Sequence, residues 1–152
     1  MSDSRHPDPN AAPPTDPGAP PPVRMVVDGL PPKRPLGRRA LRWGIVTNKA
    51  TRFTDRIVET LGLTPDCVVC GDTTPRLKPH PDSLLHAAGD LGLPPGECLY
   101  LGDDLRDVQA ALAAGMRAVA VGWGYHHPES GGPRSWKAEA VIAQPADLIA
   151  LL

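Results

Sequence analysis

The sequence predicts an α/β protein: a parallel sheet with helices on both faces. Three observations carry that expectation. From about residue 41, short apolar runs alternate with segments of helical periodicity. A glycine stands just past each of the first three helical segments, at Gly62, Gly92 and Gly115, where a left-handed residue ends a helix. Polar clusters follow directly on apolar runs, and in parallel sheets ligands bind at the carboxyl ends of the strands.

The elements read as follows. Residues 1–40 are set apart by proline: eleven of the chain's 20 prolines fall before residue 36. Proline removes a backbone donor and fixes φ, so this segment is expected to be extended and largely disordered. Within it, VRMVVDGL at 23–30 is an apolar island that fits a short strand. WGIVT at 43–47 is a strand, and 51–61 a helix with Thr51 as its cap. CVVC at 67–70 is a strand, and 82–91 a helix opened by Pro81-Asp82. Residues 98–101 form a strand, and 104–114 a helix in which Leu105, Val108, Ala111 and Leu112 recur at helical spacing. Residues 117–121 are a strand, followed by a loop and a closing helix, PADLIALL, at 145–152. The folded domain is thus expected over 41–152.

Composition excludes several classes of partner. The 152 residues carry a formal net charge of −1, so there is no electrostatic footprint for nucleic acid. Arg34, Arg38, Arg39 and Arg42 cluster in the Pro-rich stretch and read as a solvated linker. There is no apolar run of about 20 residues, which excludes a membrane-spanning helix. The N-terminus has no apolar signal core, so a cytoplasmic location is expected. Cys67, Cys70 and Cys98 are an odd set without a secretion signal, and buried thiols are expected. Cys67-x-x-Cys70 lies in an apolar strand and no second such pair follows, which argues against zinc.

Three polar groups carry chemistry. Thr47-Asn48 ends the WGIVT strand; a hydroxyl there can donate to a phosphoryl oxygen, or cap the next helix. Lys78 lies in RLKPHPD, where Pro79 and Pro81 stiffen the loop around it. Its ammonium can neutralise a phosphate or orient a carboxylate. Gly102-Asp103-Asp104 ends the LYLG run, with Asp107 one helical turn on from Asp103. Adjacent carboxylates repel unless a cation lies nearby, and hard oxygen ligands suit Mg²⁺. His126-His127 point apart as neighbours and read as loop residues. Trp123, Tyr125 and Trp136 are expected at the sheet edge or near the site entrance.

GIVTNK, KPHPD and YLGDDLRD with the following QAALAAGM resemble motifs two, three and four of the haloacid dehalogenase (HAD) phosphatases, in that order. They are similar to the phosphoglycolate phosphatase-type branch. WGYHHPE and SWKAEAVIAQPADL fit that branch, and equally the N-acetylmuramic acid 6-phosphate phosphatases. The resemblance implies an HAD-like Rossmannoid sheet and Mg²⁺-dependent hydrolysis of a small phosphate ester through an aspartyl-phosphate. It implies Thr47, Asn48 and Lys78 as phosphate-binding residues, Lys78 and Asp107 as catalytic residues, and Asp103 and Asp104 as metal ligands, Asp104 through water. A receiver domain uses similar groups, but there the acids come first along the chain and the lysine last.

The sequence departs from the family at its start. No Asp-x-Asp-Gly-Thr, the segment with the nucleophile, precedes Thr47. The nearest text is Met25-Val26-Val27-Asp28-Gly29; matching Asp28 to the second aspartate puts Val26 at the nucleophile position. The helical cap expected between motifs one and two is absent, and the first strand belongs between the Thr47 and Asp103 strands. Either VRMVVDG fills that place, or the two strands pair directly, or the core stays loose. A damaged or truncated upstream reading frame would account for the Pro-rich start. Two functions follow: a phosphoglycolate-type phosphatase, or an incomplete relative that binds Mg²⁺ and phosphate without turnover.

Overall fold

The computed structural model describes residues 24–27, 41–124 and 126–152. Six strands form one parallel sheet. They are β1 (Arg24–Val27), β2 (Trp43–Val46), β3 (Cys67–Val69), β4 (Cys98–Gly102), β5 (Arg117–Val121) and β6 (Ala140–Ile142). Helices α1 (Thr51–Thr60), α2 (Asp82–Leu91) and α3 (Leu105–Ala113) connect them. The spatial order is β3-β2-β1-β4-β5-β6, and every neighbouring pair is parallel. Chain direction reverses its course across the sheet at β3, so right-handed crossovers put α2 and α3 on one face and α1 on the other.

The place between β2 and β4 is filled by β1, drawn from the Pro-rich segment. Val27 is in register with Ile45 on β2 and with Leu101 on β4. Val26 is in register with Gly44 and Tyr100, three residues before Thr47 and Asp103 along the two neighbours. At about 3.3 Å per residue, Val26 therefore sits roughly 10 Å below the rim where those polar residues emerge. Asp28 and Gly29 lie outside the described residues. Only residues 28–42 separate β1 from β2.

Strand β4 shows how the sheet divides its side chains. Cys98 and Tyr100 pack toward α2 and α3 with Val46, Val69, Leu84, Leu91, Val108 and Ala111. Leu99 and Leu101 face the other way, with Val119, Val121, Ile142 and Leu148. The alternation is the period-two consequence of the pleat. All five β4 residues are buried, which is why this strand reads as a continuous apolar run.

Helix α2 runs over the expected residues and ends on Gly92 in the left-handed conformation, φ 64°. Helix α1 differs at its start: Thr51 is the first helical residue, and Ala50 is the N-cap without a side-chain bond. The orphan N–H of Thr51 donates instead to Asp72 Oδ1 at 3.0 Å, and the Thr51 hydroxyl donates to the same oxygen at 2.5 Å. A loop carboxylate thus caps the helix across the fold, which local spacing cannot reveal. Strand β6, three residues long, was not expected from the sequence. The closing segment, Pro145–Leu151, is a 3₁₀ helix. In that geometry residues three apart eclipse, so Leu148 and Leu151 both reach the β4–β5 face.

Cys67, Cys70 and Cys98 are all buried and form no disulfide with one another. Burial first, then Asp90 and Asp66, push the Cys67 thiol up to about 11. Among the described residues no helix is long and apolar enough to cross a membrane.

Two outcomes are expected. Leu84→Ala removes a side chain with 0% exposure and should cost about 2–5 kcal/mol in urea unfolding, whereas Leu85→Ala, at 42% exposure, should change stability by under about 0.5 kcal/mol. An aromatic disulfide reagent at mildly alkaline pH should label the thiols slowly in the native protein and rapidly in denaturant.

Candidate active site

The loops after β2, β3 and β4 meet at one rim of the sheet, and Lys78 is the residue that joins them. Its backbone is held by Asn48: Lys78 N donates to Asn48 Oδ1 at 3.1 Å, and Asn48 Nδ2 donates to Lys78 O at 3.2 Å. The carboxamide after β2 therefore fixes the loop after β3. The Lys78 side chain then runs inward and is 4% exposed. Its Nζ donates to Val46 O at 3.1 Å and to Tyr100 Oη at 2.8 Å, and it pairs with Asp107 Oδ1 at 2.9 Å.

Asp107, also buried, has its other oxygen committed. Oδ2 accepts from Asp103 N at 3.2 Å and Asp104 N at 3.1 Å, closing a capping box at the start of α3. One carboxylate thus neutralises the lysine and fixes the backbone that presents Asp103. Gly102 makes this approach possible. A Cβ there would lie 2.2 Å from Asp107 Cβ.

Asp104 is the N-cap of α3. Its Oδ1 accepts from Arg106 N at 2.8 Å, and Arg106 Nε and Nη2 each donate to the carboxylate at 2.9 Å. The Arg106 hydrogen bonds hold its carboxyl below the ordinary value. Both its oxygens are engaged by Arg106, so the cap and the ion pair are the visible roles of Asp104. Asp103 lies directly against Gly124: a Cβ at 124 would be 2.1 Å from Asp103 Cβ and 2.6 Å from Oδ2. The missing side chain leaves a cradle for the Asp103 carboxylate at the rim.

Thr47 follows β2 immediately, next to the Val46 carbonyl that holds Lys78. Its hydroxyl oxygen accepts from Lys49 N at 3.2 Å, a local turn bond that leaves the hydroxyl proton for an acceptor at the rim. His126 Nδ1 is 3.1 Å from the Asp103 carbonyl, so that nitrogen is the donor. The His126 ring meets Trp136 edge to face at 5.3 Å. Trp136 is 3% exposed within the core, while Trp123 is 48% exposed at the surface. Tyr125 lies outside the described residues. Of the basic cluster, Arg42 donates to Leu91 O at 2.7 Å; Arg34, Arg38 and Arg39 lie outside the described residues.

Asp103 offers hard oxygen at the rim, and a Mg²⁺ site commonly needs only one or two protein carboxylates, completed by water and substrate phosphate. The absence of a group of three His, Cys, Asp or Glu among the described residues is compatible with that count. Tyr100 and Gly124 are the site residues that sequence reasoning missed, and His126, expected as a loop residue, is tied to the Asp103 carbonyl. Tyr100 was hidden in an apolar strand, and only its tertiary neighbours reveal what its hydroxyl does.

The haloacid dehalogenase-like hydrolase family model matches residues 34–121, more than half of the chain. The chain belongs to the haloacid dehalogenase-like hydrolases. An N-acetylmuramic acid 6-phosphate phosphatase from Pseudomonas aeruginosa is 40% identical over 77% of this chain and 52% of its own length. A phosphoglycolate phosphatase from Xylella fastidiosa is 47% identical over 68% of this chain and 45% of its own. Among solved structures, a predicted phosphoglycolate phosphatase from Haemophilus somnus superposes with a TM-score of 0.68 at 27% identity, over 73% of this chain and 49% of that one. The chain spans about half the length of the curated relatives it matches.

Asp107→Leu alone should strand the buried Lys78 ammonium and cost about 3–5 kcal/mol, while Lys78→Met combined with Asp107→Leu should recover part of that loss in urea unfolding. The Asp104–Arg106 pair has a defined pH signature. A carboxyl lowered in the folded state stabilises above its ordinary value of 3.8 and loses that contribution as pH falls through the lowered one. Asp104→Asn keeps a capping side chain, so its stability deficit should be present at about pH 6 and narrow toward about pH 3.

Proposed function

We propose that this chain carries the phosphate-binding and Mg²⁺-binding groups of a phosphomonoester hydrolase acting on a small phosphorylated metabolite of the phosphoglycolate type, in the cytoplasm. The observation that carries the reading is the buried Lys78–Asp107 pair, held by Asn48 on one side and presenting Asp103 on the other. A fixed cation beside a hydroxyl, with a carboxylate positioned at the same rim, is an arrangement for stabilising charge on a transferring phosphoryl group.

The residues would act as follows. Thr47 donates its hydroxyl proton to a phosphoryl oxygen. Lys78 supplies positive charge at the back of the site, Asn48 sets its position, and Asp107 orients its ammonium. Asp103 is the direct metal ligand, with Asp104 contributing charge from the helix cap. A bound Mg²⁺ would neutralise charge on the phosphoryl oxygens. The acid to test as nucleophile is Asp28, which follows the last residue of β1 in sequence. Its carboxylate would form a bond to phosphorus as the ester P–O bond breaks, the released oxygen taking a proton from water and leaving as the alcohol; a further water would then cleave the acyl phosphate to free orthophosphate and regenerate Asp28. The similarity to phosphoglycolate and N-acetylmuramic acid 6-phosphate phosphatases supports the substrate class.

The test is hydrolysis of p-nitrophenyl phosphate with and without Mg²⁺. Turnover should require Mg²⁺ and fall by several orders of magnitude in Asp28→Ala, with Mg²⁺-dependent binding of orthophosphate retained. Binding without turnover in the parent chain would select the incomplete relative. Neither binding nor turnover would sink the reading.

A further inference from the structure

We propose that the groove at the carboxyl ends of β5 and β6 is a second subsite of the same active site, in which Arg134 receives a carboxylate carried by the substrate. The inference rests on the phosphate reading of the rim and narrows it. The ester is then a phosphorylated hydroxy acid whose carboxylate stands several bonds from the ester oxygen.

Strand ends place the groove. Gly122 follows β5 and Ala143 follows β6, and both line a cavity of about 460 Å³ together with His126, Gly131, Gly132 and Arg134. His126 links it to the rim described above, since its Nδ1 donates to the Asp103 carbonyl at 3.1 Å. Neighbouring strands lie about 4.8 Å apart, so the ends of β5 and β6 are roughly 5 and 10 Å beyond that of β4. A group that reaches the groove from a phosphate at Thr47 and Lys78 therefore needs a chain longer than two carbons. Charge selects what that group is. Among the described residues no carboxylate lines the groove, and Arg134 is its permanent cation. Other arginines of the fold are spent on the protein: Arg106 on Asp104, Arg117 on Glu139, Arg76 on Asp82 and Arg42 on the Leu91 carbonyl. Arg134 is exposed and has no hydrogen bond or ion pair among the described residues. Asp147, the acid bonded to Ala143 N, is already engaged by the amides of 143 and 144 and by Gln144 Nε2. The guanidinium fork is thus open to the two oxygens of an incoming carboxylate. His126 adds a second open group. Its Nε2 is buried and without a hydrogen-bond partner, and with the proton on Nδ1 it is an acceptor, which a hydroxyl of the ligand can satisfy.

The matched probes are 6-phosphogluconate and sorbitol 6-phosphate, open chains of equal length that carry a carboxylate or a hydroxymethyl group at the end far from phosphate. Titrated calorimetrically in Mg²⁺, the parent chain should bind 6-phosphogluconate about fivefold more tightly than sorbitol 6-phosphate, the scale of one exposed ion pair. Arg134→Gln should abolish that preference and leave the binding of orthophosphate unchanged. Equal binding of the two esters by the parent, or a preference that survives in Arg134→Gln, would overturn the proposal. Loss of orthophosphate binding in Arg134→Gln would also overturn it, because the arginine would then serve the phosphate itself. No orthophosphate binding by the parent chain would sink the phosphate reading and this proposal with it, so the two failures are distinguishable.

Discussion

The rim of this sheet is organised around one buried ion pair, Lys78 with Asp107. Removing two charges from water costs free energy, and their attraction offsets that cost only when the remaining donors and acceptors are satisfied. Here they are. The ammonium also meets a backbone carbonyl and a tyrosine hydroxyl, and the carboxylate also takes two backbone amides. The pair spans the loop after β3 and the first turn of α3, and through Val46 it reaches the end of β2. Any loop that shifted would leave part of this network unpaired in a low-dielectric setting, where an unpaired group is most costly. That makes the relative placement of Thr47, Lys78 and Asp103 a consequence of electrostatics, with the sheet as scaffold.

Glycine does the complementary steric work. The carboxylate of Asp107 reaches the backbone of residues 103 and 104 because Gly102 has no side chain, and Asp103 occupies space that any Cβ at 124 would fill. The loop after β5 is tied to the same place, since His126 donates to the Asp103 carbonyl and meets the buried Trp136 edge to face. Acids, lysine and close-packed glycines thus form one unit. An acidic residue cannot be presented at a strand end without backbone that yields room for it.

The first strand connects fold to chemistry. A four-residue piece of a Pro-rich segment occupies the centre of the sheet and pairs on both sides. In a parallel sheet a central strand supplies hydrogen bonds to two neighbours, so its presence satisfies backbone groups of β2 and β4 that direct pairing would have had to serve. Its register also separates two readings of the same text. Val26 lies well below the rim, at the level of Gly44 and Tyr100, so the pairing gives no support to an alignment that makes position 26 the reacting one.

The sequence by itself determined the fold class, nearly every element from β2 to β5, and the polar residues that gather at the rim. These are local properties: apolar runs mark buried strands, glycines end helices, and acids after a strand mark a helix start. It also gave Lys78 its importance, through the prolines around it. Tertiary structure alone decided what each polar group does. Asn48 clamps the lysine loop, Asp104 caps a helix and binds Arg106, Thr51 is capped from Asp72, and Tyr100 contributes a hydroxyl from within an apolar strand. The reason is physical. Periodicity reports which face of an element is buried, whereas the partner of a buried polar atom comes from far along the chain, 32 positions for Lys78 and Val46 and 54 for Tyr100 and Val46. Those partners are fixed only when the strands have chosen their order.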